Sequence, residues 1–507
     1  MSDPRRVRHP AAPGLQSADA LATRPRVAVI GGGIAGLAAA TALIERGVSV
    51  DVFERERYLG GRVGGWTETV ADGTTVAMNR GFHAFFRQYY NLRNLLRRID
   101  PSLSMLTPLG DYPLIDAQGR RDTFRGLPRT PPLNALAFAL RSPTFRLRDL
   151  VRLNARAAAP LAAVSVPETY ARLDDLDAER FLRDINFPDA AQHLAFEVFA
   201  RSFFTRPSNL SAAELATMFH IYFLGSSEGL VFDVATSDFD VALWGPLAQH
   251  LDERGVRLHT ATSVERVTPT GAGGFAIETG TGESVAADGV VIAADVSGLQ
   301  SVVAKSPDLG DDGWRSRVSR MRGAAPFVVR RLWLDRPVHA KRPAFLGTGG
   351  LPPLDNISVL ERYEAEAAAY AERTGGSVVE LHAYSTTADE ADVCRDLDAR
   401  LHELYPETAS AGVTHAITLC RSDCPLFAPG DFADRPTVAT PLPGLVLAGD
   451  GIRIDLPVAL MERAATTGVT AANALLAQFG VRGHDLYTVP VRGRTPILRQ
   501  LAERVAS

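Results

Sequence analysis

Gly31, Gly33 and Gly36 stand at the spacing G-x-G-x-x-G, directly after the apolar run Val27-Ala28-Val29-Ile30 and before an Ala/Leu-rich stretch that reads as helix up to Arg46. At that spacing the first glycine permits a tight turn and the second lets a pyrophosphate approach the backbone. The third lets helix and strand pack closely, and the helix N-terminus is left facing the phosphates. Ser49-Val50-Asp51-Val52-Phe53 reads as the next strand and ends at Glu54, at the distance expected of an acid that holds ribose hydroxyls. Because strand, glycines, helix, strand and acid occur in order, the chemistry is dinucleotide binding rather than an ordinary glycine-rich turn.

Two further elements extend that grip. Past the acid runs Arg55-Glu56-Arg57-Tyr58-Leu59-Gly60-Gly61-Arg62-Val63, in which the Arg62 fork suits two parallel hydrogen bonds to phosphate; the bland alternative is a surface arginine after a turn. Near the other end, the apolar strand Leu445-Val446-Leu447-Ala448 meets Gly449-Asp450. From Pro457 a helical pattern begins that carries Leu460-Met461-Glu462-Arg463. Both elements resemble those of the amine oxidase and phytoene desaturase superfamily, where a Gly-Gly-Arg segment wraps the pyrophosphate of FAD. In that superfamily the final helix points its N-terminus at the flavin edge that becomes negative on reduction.

Arg80-Gly81-Phe82-His83-Ala84-Phe85-Phe86-Arg87-Gln88-Tyr89-Tyr90-Asn91 resembles an element of plant and cyanobacterial phytoene and ζ-carotene desaturases, matching at Gly81, His83, Phe85, Phe86, Tyr89 and Asn91. Those desaturases usually carry an acid two places before the glycine, where this chain has Asn79. A closer resemblance is to the aromatic-carotenoid branch, the β-carotene desaturase/methyltransferases or isorenieratene synthases. It includes Arg201-Ser202-Phe203-Phe204, the segment Ser227-Glu228-Gly229-Leu230-Val231-Phe232-Asp233, and Ile454-Asp455-Leu456-Pro457. The resemblance implies FAD held by Gly31, Gly33, Ile34, Ala35, Gly36, Glu54, Arg55, Gly61 and Arg62, by Gly81, Phe82, His83 and Val264, and by Gly449, Asp450, Leu460 and Met461. It also implies a carotenoid substrate whose β-ionone rings become aromatic by desaturation with a 1,2-methyl shift, the flavin being reoxidised by an acceptor the sequence does not identify.

Residues 195–233 concentrate Phe196, Phe199, Phe203, Phe204, Phe219, Tyr222, Phe223 and Phe232 in a chain that is only 7% aromatic. Such side chains could wall a polyene site or fill a core; Phe203, Phe204, Phe219, Tyr222 and Phe223 are the substrate-binding expectation. Glu228, Asp233, Asp455 and Glu462 are candidate carboxylates for a ring cation or its proton, each with a salt bridge or helix cap as its ordinary alternative. His83 and His220 are candidate bases or orienters. Three other functions stay open. A phytoene- or ζ-carotene-type desaturase or carotene isomerase would act on acyclic carotenes. A flavin amine oxidase would release hydrogen peroxide from simple amines, and a prenyl-protein carrier of the same fold would not need the complete pyrophosphate grip.

The elements that must position these residues follow from the same patterns. The fold class is α/β: a Rossmann-type FAD-binding domain assembled from 25–100, 250–300 and 430–480, with Val264-Glu265-Arg266-Val267 and Gly289–Ile292 among its strands. An α+β substrate domain is inserted, in two parts, 101–249 and 301–429, the first facing a membrane. Residues 1–24, rich in Pro, Arg, Ala and Ser without periodicity, read as a mobile tail, and 481–507 as a C-terminal tail. A net charge of -4 and a pI near 6.3 give no support to a nucleic-acid partner. Cys394, Cys420 and Cys424 lack a second half for a metal site and read as reduced thiols, so no metal is expected. Only Lys305 and Lys341 are lysines among 54 basic residues, a bias of bacterial composition. No secretory signal or membrane span is visible. Segment 125–165 alternates arginines with Leu, Phe and Pro, as in Leu133-Asn134-Ala135-Leu136-Ala137-Phe138 and 145–153. It predicts contact with a bilayer surface, which places the protein in the cytoplasm at the inner face of the membrane.

Overall fold

A computed structural model describes residues 3–70, 73–145, 151–188, 191, 201–230, 232–271 and 273–506. Its centre is a five-stranded parallel sheet in the order Arg257–His259, Ser49–Phe53, Arg26–Ile30, Gly289–Ile292 and Leu445–Leu447. The strands come from three separate stretches of chain. In the three inner ones Val27–Ile30, Val50–Phe53 and 289–292 are buried. That is why they read as continuous apolar runs rather than as alternations. The helix Ile34–Ile44 is buried along its whole length and lies against the final long helix, Leu460–Gln478. Gly468 permits the crossing, because a Cβ there would stand 2.2 Å from the Ala35 carbonyl oxygen.

A second, seven-stranded sheet runs Val413–Arg421, Phe327–Leu334, Ser377–Ala383, Asn356–Val359, Phe345–Gly349, Leu114–Asp116, Arg121–Asp122. All its pairings are antiparallel except that of Leu114–Asp116 with Phe345–Gly349. The helix Glu390–Leu404 closes one face of it through Val393, Leu397 and Leu401, forming a separate apolar core with Leu332, Ile357 and Leu381. A small sheet of Phe85–Phe86, Phe232–Ala235 and Leu106–Pro108 links the two halves.

The two ends of the chain are not tails. Val7–His9 pairs antiparallel with Leu486–Thr488. Asp3 is buried against Arg494, with its carboxylate also accepting the Ser227 N–H at 2.7 Å. Residues Pro496–Ala506 form a helix. Three-residue strands and one ion pair leave no periodicity in sequence, so these elements read as irregular there. In the segment expected at the membrane, Leu133–Arg141 is helical with Leu133, Leu136 and Leu140 more than half exposed; residues 146–150 lie outside the described residues. Among the described residues no helix is long and apolar enough to cross a membrane.

Candidate active site

One cavity of about 720 Å³ runs from the glycine turn between the sheets to the floor of the seven-stranded sheet. At its nucleotide end, Gly31, Gly33, Ile34 and Ala35 line it, and Gly33 caps the first helix without any side-chain hydrogen bond, leaving the helix N–H groups open to phosphate. Glu54 is clamped from both sides: one oxygen accepts the Gly32 N–H at 2.6 Å and the other the Glu56 N–H at 2.8 Å. Burial holds its pKa above the ordinary carboxylate range against those bonds. Arg55, paired with Asp295 at 2.6 Å, and Val264 complete this end.

Midway, Gly61 and Arg62 face Gly449 and Asp450 across the cavity, and Arg62 donates from both terminal guanidinium nitrogens to Asp450, from Nη1 at 2.9 Å. A cradle of bare glycine backbone, a clamped acid and a cationic fork suit the adenosine, ribose and pyrophosphate of FAD. Leu460 and Met461 open the final helix at the cavity wall, and the helix start has no side-chain cap, so its N-terminus is available to a negative flavin edge.

Beyond them the walls become aromatic. Phe82 lies 4.4 Å from Phe345 and 5.6 Å from Phe232 between ring centroids, and Tyr112 stands 4.7 Å from Phe232. Phe204, 4.8 Å from Phe327 and 4.9 Å from Tyr384, lines the same space with Phe203. The charged groups on these walls are mutually paired: Arg201 with Asp355, and Arg80 with Asp423 at 2.6 Å.

Residues 34–476 match the family model described as flavin containing amine oxidoreductase. The chain belongs to this family. FAD is accordingly its cofactor. Over 480 residues the chain is 58% identical to a carotenoid phi-ring synthase of Streptomyces griseus, spanning 94% of this chain and 93% of that one. It is 27% identical to a carotenoid phi-ring synthase of Chlorobaculum tepidum, over 94% and 92% of the two chains. In fold it is similar to the cyclohexylamine oxidase of Brevibacterium oxydans, with a TM-score of 0.63 at 16% identity, covering 90% and 99%.

Against this frame several sequence expectations fall elsewhere in the flavoenzyme. Glu228 is buried under the N-terminal segment, accepting the Asp3 N–H at 2.5 Å. Asp233 is turned to Arg93 at 2.8 Å and Arg87 at 3.5 Å. Asp455 is half exposed beside Arg453 at 3.1 Å. Glu462 and His220 are buried away from the cavity, His220 donating to the Pro490 carbonyl at 2.7 Å. None of these five lines the cavity; each has an ion pair or backbone bond that occupies it instead. Phe219 and Phe223 stack on each other at 5.0 Å, and Tyr222 shares a 2.5 Å hydrogen bond with Tyr89, so these three pack behind the wall rather than on it. Phe196 and Phe199 lie outside the described residues. Gly36 and Gly81 also act from behind the cavity: a Cβ on Gly36 would stand 1.9 Å from the Gly31 carbonyl oxygen.

His83 does face the cavity. Its Nδ1–H donates to the Gly81 carbonyl at 2.8 Å, and burial pushes its pKa down to about 4. Cys424, read as an ordinary thiol, lies on the wall near Arg62, and burial pushes its pKa up to about 12. Sequence reasoning missed Asp355, Asn356 and Tyr384 on the cavity floor and named Arg201 beside them only as part of a resemblance. One signal was available: in Val378-Val379-Glu380-Leu381-His382-Ala383-Tyr384 three polar residues recur every second position of an apolar strand, which puts them on one face.

Proposed function

We propose that this flavoenzyme converts the β-ionone ring of a carotenoid into an aromatic ring by desaturation and a 1,2-methyl shift. The observation that carries the reading is the continuity of the flavin grip with an aromatic-walled space whose charges are mutually paired, in a chain 58% identical to a carotenoid phi-ring synthase. An apolar, rigid polyene end matches such walls, whereas a free ammonium would need an unpaired acceptor.

FAD, held by Gly31, Gly33, Arg62 and the start of the final helix, would supply an acceptor for hydrogen leaving the ring with its electron pair. The gem-dimethyl carbon can join an aromatic ring only if one methyl leaves it, and a cation on the neighbouring carbon draws that methyl across. Phe82, Phe232 and Phe345 hold the ring by apolar contact and present π faces to positive charge. Arg201 and Asp355 neutralise each other at the floor, so neither adds a net charge that would trap the cation. The apolar side chains of these walls offer few hydrogen-bond partners to water that could capture it.

The test is expression in cells that accumulate β-carotene, with pigments analysed by chromatography, absorption and mass. A product with carbon count unchanged and two fewer H2 per converted ring supports the reading. Unchanged β-carotene alongside altered acyclic precursors would replace it with plain desaturation, and peroxide release from simple amines with amine oxidation.

The membrane reading has its own support. Leu133, Leu136 and Leu140 are 56%, 53% and 58% exposed on one stretch of helix, and Ile497 and Leu501 of the C-terminal helix are also exposed. These side chains seat in the headgroup boundary of the bilayer that dissolves the carotene.

A further inference from the structure

Glu380, His382 and Tyr384 form a hydrogen-bonded line from a buried ion pair to the cavity floor. In the antiparallel register Arg331 stands opposite Glu380, and Asn356 opposite His382. Glu380 receives Arg331 through Nη2 at 2.7 Å and Nε at 3.0 Å on one oxygen, and His382 Nε2 at 2.8 Å on the other. His382 Nδ1 meets the Tyr384 hydroxyl at 2.7 Å, and that hydroxyl accepts Asn356 Nδ2 at 3.1 Å. Of the line, Tyr384 and Asn356 reach the cavity; His382 and Glu380 do not.

The partners assign the proton positions. Burial pushes Glu380 upward, but Arg331 and His382 outweigh it and hold the acid down to about 2. An ionised Glu380 requires Nε2 to carry the hydrogen, so Nδ1 accepts from the Tyr384 O–H. The Phe82 N–H also points at Nε2, at a longer 3.3 Å. Arg331 is shared with a second carboxylate, Glu364, at 3.2 Å. Glu380 meets His382 on the oxygen that Arg331 leaves free, and there it can stabilise an imidazolium. Gly81 holds this geometry from the opposite side. Its φ is +98°, and a Cβ there would stand 2.8 Å from His382 Cε1. The glycine of the sequence element 80–91 thus serves the histidine of a distant strand.

We infer that Tyr384 accepts the ring proton in the aromatising step while its own hydroxyl proton passes to His382, with Glu380 pairing the imidazolium. This rests on the proposed ring aromatisation. The carbon that has received the methyl loses its C–H bond. The bonding pair moves into the ring to complete the sextet at the adjacent cationic carbon, an O–H bond forms on Tyr384, and the former tyrosine proton goes to His382 Nδ1. Nothing is oxidised or reduced in this step, since the electron pairs have left the ring earlier, to the flavin. His83 is the rival base on the wall. Among the described residues no carboxylate hydrogen-bonds to it; its ring contacts are the Gly81 carbonyl and the edge of Phe239.

The experiment uses purified FAD-loaded full-length chain with a carotenoid whose rings already carry the first new double bond, in detergent micelles without oxygen. Flavin bleaching reports removal of hydrogen with its electron pair, and the aromatic ring reports loss of the proton. In Tyr384→Phe the flavin is expected to bleach at a rate near wild type while aromatic product falls on the order of 10²-fold. Positioning by His382 and Glu380 predicts the same split in His382→Gln, which also serves if Tyr384→Phe does not take up flavin. Equal slowing of both readouts in these variants, no change in either, or the split in His83→Gln instead would overturn the assignment. Wild-type protein that bleaches but forms no aromatic ring, or does neither, would show that the ring-aromatising reading has failed, and the relay with it.

Discussion

Glu462 accepts the Asn91 N–H at 2.8 Å with one carboxylate oxygen and the Leu92 N–H at 2.9 Å with the other. A carboxylate of the final helix thereby caps the start of the helix Tyr90–Leu96 and fastens the aromatic-rich element 80–91 to the FAD-binding half. The cap also takes the Asn91 side-chain amide at 2.9 Å. Removing it leaves two or three buried donors unpaired, so Glu462→Ala is expected to lose about 2–4 kcal/mol of stability. Activity per bound flavin should stay within a few-fold, measured as pigment turnover normalised to flavin absorbance. A large loss per flavin with unaltered melting would return Glu462 to the chemistry.

Gly36 offers the sharpest test of the nucleotide grip. A Cβ there would stand 1.9 Å from the Gly31 carbonyl oxygen, which is backbone and has no side chain to swing aside. Gly36→Ala must push the helix Ile34–Ile44 off the strand Arg26–Ile30 and misalign the N–H groups offered to phosphate. Purified Gly36→Ala is expected to be colourless and to fail to regain flavin absorbance in excess FAD. Full reconstitution would mean the turn has another geometry.

Wall and backing aromatics should separate cleanly. Phe345 lines the cavity against Phe82, whereas Phe219 stacks on Phe223 behind it. Phe345→Ala is expected to retain FAD yet lose ten-fold or more of its carotenoid turnover, since misplacing a ring by about 1 Å can cost that much. Phe219→Ala should affect melting temperature more than product yield. The reverse pattern would put the polyene on the other side of the wall.

What sequence reveals here depends on how local the signal is. The grip around Gly31, Glu54 and Arg62 lies within one strand–turn–helix–strand unit, so spacing alone exposes it. The aromatic concentration at 195–233 is equally visible, but composition does not say which face each ring takes. A wide turn of π-helix over His220–Leu224 carries Tyr222 and Phe223 away from the cavity that Phe203 and Phe204 reach. Glu228 and Asp233 look like free acids until distant partners, Asp3 and Arg93, are brought to them, while Asp455 pairs with Arg453 only two residues away. The floor residues Asp355, Asn356 and Tyr384 depend on strand pairings between segments tens of residues apart, and only the alternation of Glu380, His382 and Tyr384 marks them locally.

The exposed leucines predict a graded membrane effect. Leu136→Glu with Leu140→Glu places charge on the apolar face of Leu133–Arg141 without touching the cavity. Sedimentation with anionic liposomes should fall several-fold while FAD content is kept, the burial of each leucine contributing about 1–2 kcal/mol. Wild-type protein that stays in the supernatant would remove this surface from the mechanism.

His220 contributes to the acid lability of the fold. Its ring is buried, donates to the Pro490 carbonyl at 2.7 Å, and is pushed by burial from 6.5 down to about 4. Between those two values the unfolded chain binds a proton that the folded chain refuses. Stability from this group is therefore complete above pH 6.5 and drains as the pH falls toward 4. The full loss amounts to about 3 kcal/mol. His220→Gln keeps a donor for the Pro490 carbonyl but has nothing to titrate. The urea midpoint of wild type should therefore drop more than that of His220→Gln between about pH 7 and pH 4.5. Parallel declines would mean that His220 is protonated in the folded protein as readily as in the unfolded one, and that acid lability arises elsewhere.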